Sequence, residues 1–253
     1  MEEVRGAQSH VHVEFFGLPG SGKTTIAQAL HRRMSAADPT VVYSPDVTQD
    51  HKSVFPRTLV RALLIAREFP WHPSDWRALR AVATTRQQTP RDKAKVLFNY
   101  MTVASLYRRL ASRGCPAVID QGVLQAIWSA NLRGLEPVSP EKWQPILLSA
   151  SNSARFYVFV QSPAPICIER LMSRPGRHSR MQSPDLLDQH ELWAHSERVH
   201  AHLAGGLTSC FRRQGLVPRV VIVDGTRDPD EVAEGILAKV YDAGPHCGDS
   251  KVV

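Results

Sequence analysis

The stretch Val11-His12-Val13-Glu14-Phe15-Phe16-Gly17-Leu18-Pro19-Gly20-Ser21-Gly22-Lys23-Thr24-Thr25 decides the fold of this 253-residue chain. Its first six residues are a short β-branched and aromatic run, broken by His12 and Glu14, and read as a buried strand. The pattern Gly17-x-x-x-x-Gly22-Lys23-Thr24 follows at once. Helical spacing then begins, with Ile26, Ala29, Leu30 and Arg33 on one stripe. Strand, glycine loop and helix in that order are the context in which this motif cradles phosphates. The glycines permit backbone conformations closed to other residues. Successive N–H groups can then point inward at phosphate oxygens, and the helix start adds its dipole. Lys23 can reach the β and γ phosphates, and the Thr24 hydroxyl can ligate Mg²⁺, with Thr25 beside it. Leu18, Pro19, Gly20 and Ser21 complete the loop. The expected ligands are ATP and Mg²⁺.

Working outward, a β-branched run at 40–43 predicts a second strand, ended by Ser44-Pro45-Asp46. Residues 57–113 are helical in character, with segments at 59–69, 74–88 and 93–113 separated by Pro70, Pro73 and Pro90. Ser74 and Asp75 suit an N-cap. A third strand at 116–120 is apolar until Asp120. Residues 123–149 are helical, with an interruption at 134–140, and a fourth strand follows at 155–160. A helix starts at Pro165, and 174–184 is a polar, basic loop. A long helix is predicted over 186–213, with a break at Gly205-Gly206. The fifth strand, 219–223, ends in the turn Asp224-Gly225-Thr226, and the last helix covers 229–241.

Strands that alternate with helices and are apolar on both faces predict a parallel sheet covered on both sides. The fold class is therefore α/β, a three-layer P-loop NTPase with a five-stranded parallel sheet, a helical lobe and a basic lid. Residues 11–241 form one domain in this reading, with the lobe at 57–113 and the lid at 174–190; residues 1–10 and 243–253 are flexible tails. Ligands of such sheets bind beyond the carboxyl ends of the strands. The glycine loop, Asp46, Asp120 and the Asp224 turn all fall there.

Composition narrows the function class. A hydrophobic fraction of 43% and a charged fraction of 22% are ordinary for a soluble globular protein. The net charge of +7 is spread along the chain, without the Lys/Arg runs of a nucleic-acid tail. It suits an enzyme whose ligands are polyphosphates. The four cysteines, Cys115, Cys167, Cys210 and Cys247, are far apart and predict free thiols in a reducing compartment. The polar, acidic N-terminus is not a signal peptide. No apolar run reaches the roughly 18 residues of a membrane span. The cytoplasm is the expected location.

Two further features carry chemistry. Asp120, at the end of an apolar strand, can hold Mg²⁺ opposite Thr24, although aspartate is also common in turns. Arg170, Arg174, Arg177 and Arg180 crowd into eleven residues around His178. Guanidinium groups bind phosphates and stabilise a transferring phosphoryl group, and a basic loop that closes would exclude water. The same run also fits a solvated helix end.

Together these residues resemble the P-loop nucleoside and nucleotide kinases, nearest the thymidylate kinase and deoxynucleoside kinase branch, over about residues 11–241. Glu169-Arg170 through Arg174-Pro175-Gly176-Arg177, then Glu197-Arg198-Val199, is similar to that branch's lid and following helix. Val221-Ile222-Val223-Asp224-Gly225-Thr226, then Pro229-Asp230-Glu231-Val232, resembles its last strand, base-side loop and final helix. The resemblance implies γ-phosphoryl transfer from ATP with Mg²⁺. It makes Arg174 and Arg180 lid arginines and sets Gly225 and Thr226 near adenine. Lys23, Asp46, Asp120, Arg174 and Arg180 become the catalytic candidates, and Asp46 takes the place of a general base. The chain departs from that group in two places. Ser44-Pro45-Asp46 does not match its glutamate-based motif, and Asp120-Gln121-Gly122 has Gln121 where an acceptor-binding arginine is expected. Arg86 or Arg91 in the lobe could compensate, though exposed arginines are the norm. Gln125, Trp128 and Asn131 could line the acceptor pocket, with Trp128 at least as suited to the core.

The expected partners are ATP and a small-molecule acceptor, with no nucleic acid and no membrane; a homodimer is compatible with the sequence. The acceptor can be a nucleoside or nucleotide, or another hydroxyl compound such as a sugar derivative or antibiotic. The rival reading is a regulatory P-loop ATPase without a small acceptor. The histidines at 190, 195, 200 and 202 lack metal-ligand spacing. Trp71, Trp76, Trp143 and Trp193 are expected to pack in the core or lobe.

Overall fold

Val11–Gly17 (β1) is the middle of five parallel strands. The computed structural model describes residues 11–48, 53–69, 73–132, 154–174, 189–212 and 219–242. The other strands are Val42–Tyr43 (β2), Ala117–Ile119 (β3), Ala154–Gln161 (β4) and Arg219–Asp224 (β5), in the order β2-β3-β1-β4-β5. Val13 pairs with Val118 on one side and Phe156 on the other, which fixes the register of the centre. The chain leaves β1 toward β2 and leaves β4 toward β5. Connections that diverge in this way open a crevice at the carboxyl ends of the two strands.

The helices are Lys23–Ala37 (α1), Ser44–Thr48 (α2), Val54–Glu68 (α3), Pro73–Ala83 (α4), Pro90–Arg113 (α5), Val123–Leu132 (α6), Ala164–Met172 (α7), Gln189–Arg212 (α8) and Pro229–Asp242 (α9). Period-2 alternation in β1 sends Val13 and Phe15 to one face and Phe16 to the other. The first face packs on Ile26, Leu30 and Met34 of α1 and on Val232, Ile236 and Val240 of α9. Phe16, Ile119 and Phe159 pack on Leu106 and Leu110 of α5, Leu124 and Trp128 of α6, and Leu203 and Leu207 of α8. The expected α/β three-layer architecture is therefore present, with both faces of the sheet covered. α3 and α4 lean on α5 through Leu64, Phe69, Ala78 and Val82. No described helix is long and apolar enough to cross a membrane.

Local chemistry moved several expected boundaries. α5 starts at Pro90, not 93, because proline is tolerated in the first turn and Thr89 accepts the Asp92 N–H as an N-cap. It ends at Gly114, whose φ of 58° closes the helix in the left-handed region. α4 stops at Ala83 rather than 88; the hydroxyls of Thr84 and Thr85 bond back to the carbonyls of Ala81 and Val82 and compete with the helix. Ser44-Pro45-Asp46 does not end a strand in a turn but opens α2, with Pro45 in its first turn. Gly205-Gly206 does not break α8, where Leu203 and Leu207 anchor the helix on the core. Trp76 is 53% exposed and meets Phe69 in a T-shaped contact, so it packs on the lobe and not in the core. Trp193 and Trp128 are buried. Trp71, Trp143 and the interruption at 134–140 lie outside the described residues.

Candidate phosphate-binding site

The loop between β1 and α1 is held by its own backbone and by two neighbours. Ser21 N donates to Leu18 O at 3.1 Å, which closes the turn. Gly20 and Gly22 have φ of 85° and 90°, a region costly for any residue with a Cβ. A Cβ on Gly20 would also collide with the carbonyl of Cys167 in α7. Gly22 is the residue before the helix and has no side chain to cap it. The first-turn N–H groups of α1 are thus left for an incoming acceptor.

Lys23, Thr24 and Asp120 meet at the mouth of this loop. Lys23 Nζ lies 3.1 Å from Asp120 Oδ1. Thr24 Oγ1 donates to Asp120 at 3.0 Å to Oδ2 and 3.3 Å to Oδ1. The Lys23 and Asp120 side chains are 12% and 5% exposed, so the pair is largely withdrawn from water. Asp120 is fixed from behind as well: its backbone N–H donates to Ser44 Oγ at 3.0 Å. Ser44 opens α2, so the carboxyl ends of β2 and β3 are tied together at the carboxylate.

A second buried carboxylate supports this corner. Glu14, fully buried in β1, accepts from Tyr107 Oη of α5 at 2.5 Å and from the N–H of Leu124 in α6 at 2.7 Å. It fixes the start of α6, and the turn Asp120-Gln121-Gly122 lies directly on it. Gln121 is exposed beside Asp120, and Gln125 is half-buried in the first turns of α6.

On the other side of the loop, Ser162 Oγ donates to Ser21 O at 3.0 Å. Gly225 N donates to Gln161 O at 2.7 Å and extends the β4–β5 pairing by one bond. Arg170 Nη1 donates to Gly225 O at 2.8 Å. Asp224 accepts from the N–H and hydroxyl of Thr226, at 2.8 and 2.7 Å. The Thr226 hydroxyl, followed by its N–H, holds the Asp224 carboxyl below its usual pKa. A cavity of about 630 Å³ opens here at the ends of β4 and β5, against α8.

The sequence-predicted residues therefore divide into three groups. Lys23, Thr24 and Asp120 come together, and Gly225 packs on the loop. Asp46 is exposed in α2, Thr25 is exposed in the first turn of α1, and Arg174 is exposed beyond α7. Arg177 and Arg180 lie outside the described residues. Sequence reasoning missed Glu14 and Ser44, and it grouped Arg170 with the lid although its guanidinium sits on Gly225. The signal for Glu14 was a charged residue inside an otherwise apolar strand. Cys115 and Cys167 are buried free thiols, and burial raises the pKa of both.

No curated protein matches the chain. Among solved structures it is similar to the deoxyadenosine kinase of M. mycoides determined with dCMP and dCDP bound. The identity is 12%, the TM-score 0.47, and the match covers 91% of this chain and 99% of that one. Residues 13–195, from β1 into α8, match the AAA domain family. That match spans the glycine loop, Lys23, Thr24 and Asp120, and this chain belongs to that P-loop family.

Proposed function

We propose that this protein is a small-molecule kinase that moves the γ-phosphoryl group of ATP to an acceptor hydroxyl or phosphate. The observation that carries the reading is the cluster of Lys23, Thr24 and Asp120 at the mouth of the glycine loop. The loop and the start of α1 bind the phosphates, and Lys23 swings from Asp120 onto the β and γ oxygens. Thr24 and Asp120 are hard oxygen donors within 3.0 Å of each other, a set that fits Mg²⁺. When bound, that ion neutralises charge on the transferring group. Because Asp120 would be committed to Mg²⁺ beside Thr24, the proton acceptor for the attacking hydroxyl is assigned to Asp46, exposed on α2. Arg174 and Arg180 complete the site from the 174–190 segment, as a lid on a single domain at 11–241 with its helical lobe at 57–113. Gly225 and Thr226 flank the base of ATP. A nucleoside or nucleotide is the first acceptor class to test, ahead of other hydroxyl compounds, and the cytoplasm is the compartment this reading implies.

The test is ATP consumption by the purified protein across nucleosides, nucleoside monophosphates and other hydroxyl compounds. The reading expects at least one acceptor to raise ADP production above the water background, with a phosphorylated product. If none does while ATP is still hydrolysed, the regulatory ATPase reading takes its place.

A further inference from the structure

We propose that the outward face of α3 is the interface of a homodimer, in which two copies of the chain pack α3 on α3 across a two-fold axis. The inference is independent of the kinase reading. α3 is amphipathic in the reverse of the usual sense. Arg57, Arg61, Leu64 and Glu68 fall on one stripe of the helix. Leu64 is buried against α5, and the three charged residues beside it are half-buried. The opposite side is apolar and faces outward: Phe55 is 81% exposed, Leu63 60% and Leu59 52%. Every exposed position from Val54 to Ala66 is uncharged. A surface helix ordinarily puts its charged residues on this side.

Shape and size point to a second helix of the same kind. Phe55, Leu59 and Leu63 are four residues apart and form a ridge. Thr58, Ala62 and Ala66 form the parallel row beside it, a groove of small side chains. Setting such a ridge into such a groove, at an interaxial angle of about −50°, is the commonest way for helices to pair. A two-fold axis makes the fit reciprocal. The two rows expose about 500 Å² per chain, in the upper range for the largest apolar patch on a monomer. Two copies together hide roughly 1,000 Å², which reaches the threshold of specific association before any rim is added.

Charge selects the occupant. Near a two-fold axis each charge meets its own copy, and like charges repel, so a face without charge can mate with itself. A bilayer makes a different demand: cations beside the apolar row, to reach the lipid phosphates. Arg57 and Arg61 lie on the inward side of α3 instead. Arg67, exposed at the C-terminal end of the helix, is paired with Glu68 at 3.6 Å.

The experiment is sedimentation velocity of the full chain over a concentration series. The wild type is expected to pass from the mass of one chain to that of two as concentration rises. Leu59, the middle of the ridge, stands nearest the axis of such a pair. Leu59→Arg and Leu59→Glu should each weaken dimerisation about tenfold or more. An equimolar mixture of the two should dimerise again, because opposite charges then meet across the axis. Tyr241→Arg, at an exposed residue of α9, should leave the dimer unchanged. If the Leu59 variants do not fold, amide exchange of the wild type carries the test: protection of residues 54–66 should rise with chain concentration. The proposal is overturned if the chain stays monomeric, if Leu59→Arg dimerises as wild type, if the mixture stays monomeric, or if exchange at 54–66 is the same at every concentration. A monomer that sediments with vesicles of phosphatidylcholine and phosphatidylserine, and ceases to with Leu59→Arg, gives the face to a bilayer and also overturns it. So does a monomer that Leu59→Arg destabilises, because the face is then covered by another part of the same chain.

Discussion

Gly122 has no room for a side chain because the carboxylate of Glu14 occupies the place where its Cβ would stand. The glycine lies two residues after Asp120 and one before α6, so a local fit between a strand and a turn sets the approach to the candidate site. Gly122→Ala must push either the carboxylate or the turn away. Overpacking of this kind costs about 1–3 kcal/mol. The expected result is a lower urea midpoint together with a loss of turnover larger than the stability change explains. Wild-type turnover in the folded variant would disconnect this turn from the site.

Tyr107→Phe tests the same support from its other end. The variant deletes the hydroxyl that donates to Glu14 and so removes one hydrogen bond from a fully buried carboxylate. Unfolding should become easier by about 1–3 kcal/mol. Glu14→Gln in the Tyr107→Phe background should recover part of that, since an uncharged amide tolerates the site better. Denaturant unfolding of the two single variants and the double variant decides it.

Lys23 and Asp120 should behave as a unit. In stability measurements on Lys23→Ala, Asp120→Ala and the double variant, the coupling is expected at about 1–3 kcal/mol, as for residues in direct contact. In activity each single variant should fall about a hundredfold or more, and the double should be little worse than either. Additive losses would mean that the pair seen across the loop is not functional.

His200 predicts a pH signature. Its pKa is 6.5 when free and about 4 in the folded chain. Between those values the unfolded chain binds a proton that the folded chain refuses, so stability falls as pH drops from 6.5 toward 4 and levels off below. The loss amounts to about 3 kcal/mol, from roughly 1.4 kcal/mol per pKa unit. His200→Phe should abolish this component, and the difference in unfolding free energy between wild type and variant, followed from pH 7 to pH 4, measures it.

The sequence made some of this legible and hid the rest for physical reasons. The glycine loop, Lys23 and Thr24 are contiguous, so their geometry is written in local spacing. Asp120 could be found because it ends an apolar strand. Glu14 could not be assigned, because its partners Tyr107 and Leu124 are 93 and 110 residues away and meet it only once the layers pack. The start of α2 at Ser44 was hidden by Pro45, which reads as a breaker in a sequence but is acceptable in a first turn. Arg170 looked like one of a basic group; its neighbour Gly225 is supplied by the turn after β5, fifty-five residues on.

The contact of Gly20 with the Cys167 carbonyl offers a clock. Cys167 is fully buried, its Sγ is 3.6 Å from Ser162 O, and burial suppresses its thiolate. A thiol reagent reaches it only when α7 lifts from the glycine loop. The labelling rate at this one position, read by peptide mass spectrometry, therefore counts how often the wall of the loop comes away. A nucleotide seated in the loop should slow that count, which would turn a silent packing residue into a direct reporter of occupancy.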